Sequence, residues 1–209
     1  MFQIHFHDIA ILARDGRPIL PASEVALLTH ELHDAPSILQ AHAALAYRIP
    51  ERRLQQRLRN GLRFMRFDVG VVPVATTWLA SCGGRYIDEL NWLLPMAPGE
   101  AWVRDVFIAP AWRGKRLFSH IAAALAQHGG GPAQRVWSDV DWVNVQSMHA
   151  HAAAGFHIVA RLRALDLRGR LRLRSSLPPW PLPVAEIDPA SRWVWLRGAT
   201  LQRHRELVA

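Results

Sequence analysis

The chain has 209 residues, half of them hydrophobic, and a formal net charge of +8. This length and composition predict one compact domain, or one domain with an appendage, and exclude an intrinsically disordered chain. No apolar run reaches the roughly 18 residues of a membrane span, and the first residues lack the basic segment of a secretion signal, so we expect a cytoplasmic protein. The single cysteine, Cys82, excludes an internal disulfide and a zinc site built from cysteines.

The positive charge is weak evidence for a nucleic-acid partner. The basic residues are 24 arginines and one lysine, Lys115, a bias that is typical of an arginine-rich genome rather than of a polyanion-binding surface. Most of the excess positive charge lies near the C-terminal end, because residues 157–209 carry 10 basic and 4 acidic side chains. Six of these arginines alternate along residues 161–174, which in an extended strand places them on one face. We therefore expect a solvated strand face and no nucleic-acid partner.

The first half of the chain predicts strands and helices in turn. Residues 1–12 alternate like a strand, and residues 22–60 have a helical pattern that breaks at Pro50 and stops at Asn60 and Gly61. Two helices are therefore expected there. After them the alternation of strands predicts an antiparallel meander of four segments, at residues 62–70, 71–81, 86–94 and 101–108.

The second half alternates helices with strands. The periodicity predicts helices at residues 115–128 and 145–154, and strands at residues 135–142 and 156–165. A proline-rich linker follows, so we divide the chain into a domain of residues 1–174 and a linker with a C-terminal strand and tail, residues 175–209. Trp193 and Trp195 in that tail are expected to cover a sheet edge or to mediate a homodimer.

One segment carries the pattern of a phosphate-binding turn. In VFIAPAWRGKRLF, residues 106–118, a strand runs into an Arg-Gly turn and then into a helix start. A helix start leaves backbone N–H groups free and carries the positive end of the helix dipole, which together favour a bound phosphate.

These residues resemble the GNAT superfamily of N-acetyltransferases. In that family a strand ending in a hydrophobic residue, any residue and proline is followed by Arg-Gly-x-Gly and a hydrophobic residue at the head of a helix. Arg116 departs from this pattern because it stands where the second glycine is usual. The matching residues are Ile108, Pro110, Arg113, Gly114, Lys115 and Leu117.

A second motif, NVQSMHAHAAAGF, is similar to a later helix of the same family. Its usual tyrosine position holds His151. The resemblance covers roughly residues 62–163, and the pair of segments 85–94 and 99–110 is similar to a subgroup found near bacterial surface-polysaccharide and amino-sugar genes. The matching residues are Asn144, Ser147, Ala150, Gly155 and Phe156.

The resemblance implies an α/β fold with a GNAT-like mixed, mostly antiparallel twisted sheet, flanked by helices and containing a splayed central strand pair. It also implies acetyl-CoA or another acyl-CoA as co-substrate. Backbone N–H groups around the Arg-Gly turn would hold the diphosphate, and the pantetheine arm would lie along the strand before the turn. Asn144 either binds the pantetheine region or only caps its helix. The predicted binding residues are Val106, Phe107, Ile108, Arg113, Gly114, Lys115, Arg116, Leu117 and Asn144.

The residue that takes the proton of the amine is less determined. Asp105 and Glu89 are the first candidates for a base, and the alternative is that each carboxylate pairs with an arginine. His151 is a candidate acid or base at the thioester, and its alternative is a helix residue with local hydrogen bonds. Further carboxylates on these predicted strands are Asp88, Asp139 and Asp141.

Two functions fit this sequence. The first is an N-acyltransferase that moves an acyl group from acyl-CoA to a primary amine of a small molecule or amino sugar by direct attack. The second is a non-catalytic GNAT-fold module that binds acyl-CoA as a regulatory or scaffolding protein. We expect no metal, because His30 and His33 have the spacing i, i+3 rather than the i, i+4 of a zinc-binding helix.

Overall fold

The architecture is a nine-stranded mixed sheet with helices packed on both of its faces. The structure is a computed structural model that describes residues 4–15, 26–81, 85–87, 92–94, 96, 98–128, 135–167, 170–175 and 193–196. Its helices are α1 (Ala35–Ala44), α2 (Glu51–Arg59), α3 (Leu117–His128) and α4 (Val145–Ala153). Its strands are β1 (Ile4–Asp15), β2 (Leu28–Leu32), β3 (Arg63–Val69), β4 (Val72–Ala80), β5 (Arg85–Ile87), β6 (Trp92–Leu94), β7 (Glu100–Ile108), β8 (Arg135–Asp141), β9 (His157–Leu167), β10 (Arg170–Ser175) and β11 (Trp193–Leu196).

The sheet is antiparallel except at its centre. The strand order is β11-β10-β9-β1-β8-β7-β4-β3-β2, and the pair β7 and β8 is parallel. The strands β5 and β6 form a separate two-stranded sheet. The predicted fold class, a mixed and mostly antiparallel sheet flanked by helices, is confirmed.

Two apolar cores lie on opposite faces of the sheet. The first includes Met65 and Phe67 of β3 together with residues of α3, and the second includes Phe64 of β3 together with residues of α1 and α2. Successive residues of one strand point to opposite faces, so β3 contributes to both cores. The central strands are therefore covered by helices on each side.

Capping residues, a proline and a glycine mark ends of the helices α1 and α2. Asp34 caps α1 by accepting a hydrogen bond from the Ser37 N–H at 2.9 Å. Pro50 precedes α2, and Gly61 follows it with a φ of +72°, a left-handed conformation that glycine adopts without a steric penalty. The predicted break at Pro50 and stop at Asn60 are confirmed.

The prediction of helix from residue 22 is wrong at residues 28–32, which form the edge strand β2. This strand pairs antiparallel with β3, and the Arg63 side chain donates from Nε to Glu31 Oε1 at 2.7 Å. His30 Nε2 lies 3.2 Å from Asp68 Oδ2 across the same pair. A free edge of β3 is available to pair with this segment, and that tertiary pairing overrides its weak helical preference.

The prediction that residues 86–94 form one strand of the meander is also wrong. The chain leaves the main sheet after β4, makes the short pair β5 and β6, and returns as β7, which pairs directly with β4. Alternation in the sequence identifies strands but does not identify their partners, so it could not distinguish this excursion from a meander.

The strands β9 and β10, which carry most of the alternating arginines, form an antiparallel pair. Arg161 donates from Nε to Asp8 Oδ1 at 2.6 Å, and its guanidinium carbon lies 3.7 Å from the centre of the Trp142 ring. Part of the positive charge is thus paired within the sheet. β11 pairs with β10, while the domain division at residue 174 stays a prediction. No helix in the described ranges is both long and apolar enough to cross a membrane.

Candidate functional site

The parallel strands β7 and β8 lie side by side at one end and separate at the other. Their pairing runs from Glu100 opposite Arg135 to Val103 opposite Ser138, and stops there. Both strands continue beyond that point, β7 as far as Ile108. The gap between them is a cleft of about 200 Å³. Backbone groups along such an open strand edge can bind an extended ligand as an added strand.

A β-bulge in β7 lies where the cleft opens. Thr76 is opposite Phe107 and Trp78 is opposite Arg104, so two residues of β7 face the single residue Thr77 of β4. The first of the two, Asp105, has a φ of +47°. Thr77 Oγ1 donates to the Arg104 carbonyl at 2.8 Å and fixes the bulge. A bulge bends its strand and increases its twist, which accounts for the divergence from β8.

The bulge places Asp105 and Val106 on different sides of β7. Asp105 forms an ion pair with Arg57 of α2, whereas Val106 packs against the core that contains α3. Burial alone would raise the pKa of Asp105, but the charges of Arg57 and Arg104 and the hydrogen bond from Arg57 hold that pKa below its usual value. The carboxylate is therefore charged at neutral pH and accepts a proton only weakly.

Asp139 lies deeper on the same side of the sheet and is held by three hydrogen bonds. Arg85 donates from Nε to Oδ1 at 2.8 Å and from a terminal nitrogen to Oδ2 at 2.9 Å, and Trp102 Nε1 donates to Oδ1 at 2.6 Å. Burial raises the pKa of Asp139, but the Arg85 charge and these hydrogen bonds outweigh it and lower that pKa. This carboxylate is thus an ionised acceptor of fixed bonds and a poor base.

The His151 imidazole lies on the opposite side of the cleft with both ring nitrogens engaged. Nε2 is 2.9 Å from Ser138 Oγ, and Nδ1 is 2.7 Å from the Ser147 carbonyl oxygen one turn earlier in α4. The rings of Phe118 and Phe156 pack against the imidazole, with centroids 4.3 Å and 5.1 Å away. The side chain is 5% exposed, and its exposed part lines the cleft.

The hydrogen bonds of His151 define its tautomer when it is neutral. A carbonyl oxygen can only accept, so Nδ1 carries the proton and Nε2 is left as an acceptor for the Ser138 hydroxyl. Burial lowers the pKa of His151, and the bond to the Ser147 carbonyl and the charge of Asp139 oppose this only in part. The imidazole is therefore neutral at pH 7, and the lone pair of Nε2 accepts the hydrogen bond from Ser138.

Asn144 caps α4. Its side-chain oxygen Oδ1 accepts a hydrogen bond from the Ser147 N–H at 3.1 Å, so the predicted capping role is present. Asn144 also lines the cleft, and the cap uses only Oδ1. Its amide nitrogen stays available to a ligand, so the predicted contact with the pantetheine region remains a prediction.

The Arg-Gly turn leads from β7 to α3 by way of a short 3-10 turn, Pro110–Trp112. Gly114 has a φ of +77°, and a Cβ added to it would meet no atom within 4 Å. The Ser119 N–H donates to the Arg116 carbonyl at 3.0 Å and closes the first helical turn. The first N–H groups of a helix have no partner within the helix, and the turn from Gly114 leads directly to that start at Leu117. The open space beside Gly114 thus adjoins the start of α3.

The side chains of this turn add exposed positive charge. Arg113 donates from Nε to the Ile108 carbonyl at 3.1 Å, and Lys115 Nζ lies 4.6 Å from the centre of the Trp112 ring. Leu117, in contrast, is buried in the core beside α3. The buried leucine anchors the helix start while the cations next to it face outward.

Arg116 occupies a glycine-like backbone conformation, with a φ of +55°. A side chain in this conformation destabilises the folded chain by roughly 1–2 kcal/mol. Replacement by glycine would remove that strain, but glycine loses more conformational entropy on folding, which offsets part of the gain. We expect Arg116→Gly to raise the free energy of unfolding by about 0.5–1 kcal/mol, or about 1–4 °C in Tm.

Chemical and thermal unfolding of the variant would check this. Arg113→Gly is the matched control, because Arg113 has a φ of −69° and its side chain bonds the Ile108 carbonyl. This control should lower the stability. A destabilised Arg116→Gly variant would contradict the strain at this position.

Of the predicted site residues, Asp105, Val106, Asn144 and His151 line the cleft, and the Arg-Gly turn follows β7 along the chain. Glu89 and Asp88 lie outside the described residues. Two participants were not predicted from the sequence, Ser138 and Arg57, whereas Arg85 was weighed as a carboxylate partner and does pair with Asp139. Ser138 had a signal, since it is the polar residue between Val136 and Val140 on the apolar face of β8. Arg57 carried none, because ion pairs between distant elements leave no local pattern.

The predicted absence of a metal rests on the sequence alone. In the described residues no group of three or more His, Cys, Asp or Glu side chains could hold a metal ion. His30 and Glu31, from the segment weighed as metal-like, lie on β2 and contact Asp68 and Arg63 instead.

Comparison with known proteins identifies the fold. No protein-family model matches the sequence, and no curated protein is similar to it at a significant level. Solved structures are similar in three dimensions. They include a GNAT-family acetyltransferase from Colwellia psychrerythraea (14% identity, TM-score 0.52) and a putative GNAT-family acetyltransferase from Novosphingobium aromaticivorans (16%, 0.50). A GCN5-related N-acetyltransferase from Kribbella flavida is also similar (17%, 0.51).

These similarities extend over most of this chain and over part of each neighbour. The alignments cover 78%, 78% and 79% of this chain, and 57%, 66% and 60% of the three neighbours respectively. The chain thus spans less than two thirds of the length of these structures. At such low identity the likeness establishes the fold, and the fold is that of GNAT acetyltransferases.

Proposed function

We propose that this chain is an N-acyltransferase that moves an acetyl or other acyl group from acyl-CoA to a primary amine of a small molecule or amino sugar by direct attack. The observation that carries this proposal is the separation of β7 from β8 directly before the Arg-Gly turn of α3. An open strand edge and a free helix start on one continuous segment suit a ligand with an amide-containing arm and a diphosphate.

The diphosphate fits the turn at the start of α3. The space beside Gly114 admits a phosphate group to within hydrogen-bond distance of the backbone, and the N–H groups from Gly114 to Leu117 are its donors. Arg113, Lys115 and Arg116 are exposed there and add positive charge. The positive end of the α3 dipole acts in the same direction.

The pantetheine arm fits the edge of β7 that faces the cleft. Along Val106, Phe107 and Ile108 that edge has no pairing with β8, so its peptide groups can exchange hydrogen bonds with the amides of the arm. Asn144, on the opposite wall, offers the amide nitrogen that its cap does not use.

The acyl-CoA thioester supplies an activated acyl group when it is bound. Attack by an amine builds negative charge on the thioester oxygen, and backbone N–H groups on the cleft side of β7 can stabilise that charge. The fixed geometry of the bulge makes such donors preorganised, which is worth roughly 10² to 10³ in rate for a single donor.

The amine must lose a proton, and His151 is the base that we assign. Its Nε2 is unprotonated and its side chain lines the cleft beside Ser138, whereas the carboxylates of Asp105 and Asp139 are engaged by arginines and have lowered pKa values. We assign Asp105 the role of a fixed negative charge on the wall opposite His151. Glu89 stays a candidate on the sequence alone.

Binding and turnover together test the proposal. Acetyl-CoA and longer acyl-CoA, at 100 times their dissociation constants, should raise the free energy of unfolding by about 2.7 kcal/mol, which calorimetry and a Tm shift of several degrees would record. Release of free thiol from acyl-CoA should then require an amine from a panel of amino sugars and small amines. Absence of binding would refute the proposal, and binding without thiol release would favour a non-catalytic acyl-CoA-binding protein.

A further inference from the structure

Ser138 stands at the point where β7 and β8 separate. It is opposite Val103 in the last parallel pair, so its side chain lies at the base of the cleft and lines it. The residues two positions before and after it on β8, Val136 and Val140, belong to the apolar core, and Ser138 itself is 4% exposed. A buried hydroxyl among apolar side chains needs a hydrogen-bond partner, and its partner here is His151.

The contact between Ser138 and His151 has a defined direction. Because the Ser147 carbonyl fixes the proton of His151 on Nδ1, the Ser138 hydroxyl donates to Nε2 across 2.9 Å. A hydroxyl that donates to an imidazole, which is in turn oriented by a third group, can pass its proton to that imidazole as it takes one up from a reacting group. The lone pair of Nε2 is thus reached from the cleft through Ser138.

We propose that Ser138 is a catalytic residue of the transfer reaction and that its hydroxyl carries protons between the reacting atoms and His151. This inference rests on the proposed acyl transfer. In this relay Ser138 Oγ contacts the amine and the departing sulfur, and His151 Nε2 holds the proton between the two transfers.

The proton movements balance without any further reactant. As the nitrogen of the neutral amine bonds to the thioester carbon, the carbonyl π electrons move to oxygen and one N–H bond breaks. That proton goes to Ser138 Oγ, while the Ser138 hydroxyl proton goes to His151 Nε2. When the carbon–sulfur bond breaks, sulfur keeps the electron pair and the protons return in the reverse order. The products are an amide and a free thiol, and His151 is neutral again.

One negative charge that acts on His151 supports its intermediate protonation. The charge of Asp139 on β8 favours the imidazolium, and the Ser147 carbonyl accepts its Nδ1 proton. The rings packed on the other sides, Phe118 and Phe156, carry no charge and exclude water. The imidazolium can therefore form during the reaction although the resting imidazole is neutral.

A mutant cycle tests this relay. Ser138→Ala should lower kcat by about 10- to 100-fold while the dissociation constant of acyl-CoA changes less than threefold. If the two residues share one pathway, the double variant Ser138→Ala/His151→Ala should be no slower than His151→Ala alone. Ser119→Ala, in which a hydroxyl is removed from α3 outside the cleft, is the matched control and should keep its turnover. A Ser138→Ala variant with wild-type kcat, or additive effects in the cycle, would overturn the relay.

The ring nitrogens of His151 give a readout that does not depend on turnover. In ¹⁵N-labelled protein at pH 7, His151 should show a protonated Nδ1 and an unprotonated Nε2, and the Nε2 resonance should move in Ser138→Ala. A proton on Nε2 in the wild-type chain would refute the relay even if acyl transfer occurs. Conversely, a wild-type chain whose His151 has the expected protonation of Nδ1 and Nε2, but which releases no thiol from acyl-CoA, would refute the proposed function. The hydrogen bond between Ser138 and His151 would still be established.

Discussion

Gly114→Val is expected to abolish acyl-CoA binding while the chain stays folded. A Cβ added at Gly114 meets no protein atom within 4 Å, so the valine side chain would extend into the volume in which a phosphate would approach the backbone. Loss of two charge-assisted hydrogen bonds at about 1.5–3 kcal/mol each corresponds to binding weaker by at least about 100-fold. Isothermal calorimetry with acetyl-CoA and free CoA would measure this loss.

Gly70→Val is the matched control for this experiment. Gly70 lies in the turn between β3 and β4, also has a positive φ, of +60°, and also has open space at its Cβ position. Both variants therefore lose a similar stability, about 1–2 kcal/mol for a side chain in the left-handed region, but only Gly114→Val should lose binding. Equal affinity in the two variants would move the diphosphate site away from this turn.

His151→Ala is expected to lower kcat by about 10² to 10⁴ with little change in the affinity for acyl-CoA. The active form of a base is the unprotonated one, and burial lowers the pKa of His151 below its ordinary value. The wild-type enzyme should therefore keep the contribution of His151 at pH 6.5 and lose it only at lower pH. The kcat of wild type and variant, measured with a saturating acceptor from pH 5 to 9, would show this difference.

Three further substitutions define the role of His151. His151→Gln can still accept the Ser138 hydrogen bond but cannot take up a proton, so it should be as slow as His151→Ala. His151→Tyr would restore part of the turnover if the residue were an acid, and should fail to do so for a base. His149→Ala, which alters an exposed histidine of the same helix, is the control. Turnover of His151→Ala within a few-fold of wild type across this pH range would remove His151 from the mechanism.

The sequence predicted the turns and helix caps, because these features depend on residues that are close together in the chain. The Arg-Gly turn and the start of α3 depend on consecutive residues, and the structure has that turn with Gly114 in a left-handed conformation and Leu117 buried. Asn144 was weighed as a cap from its position before a helix, and it does cap α4. Turns and caps are satisfied by hydrogen bonds within a few residues, which is why such positions can be identified from the chain alone.

The pairing of distant segments was decided only by the tertiary structure. Residues 28–32 form β2 because the edge of β3 was available to them, and β5 and β6 pair outside the main sheet although their alternation resembles that of its strands. Strand partners are selected by contacts far apart in the sequence, and the alternation of a strand has the same form whichever partner it takes.

In the candidate site, the positions of the key residues on helices and strands could be predicted from the sequence, whereas their contacts could not. The sequence by itself determined that His151 stands on a short helix after Asn144, and that Asp105 lies on the strand before the phosphate turn. Two contacts could be identified only from the folded chain. Asp105 pairs with Arg57, which is 48 residues away in the sequence, and His151 accepts a hydrogen bond from the Ser138 hydroxyl. Protonation depends on burial and on neighbouring charges, and these are set only in the folded chain, where Asp105 at the bulge pairs with Arg57 of α2 and His151 of α4 is buried against β8.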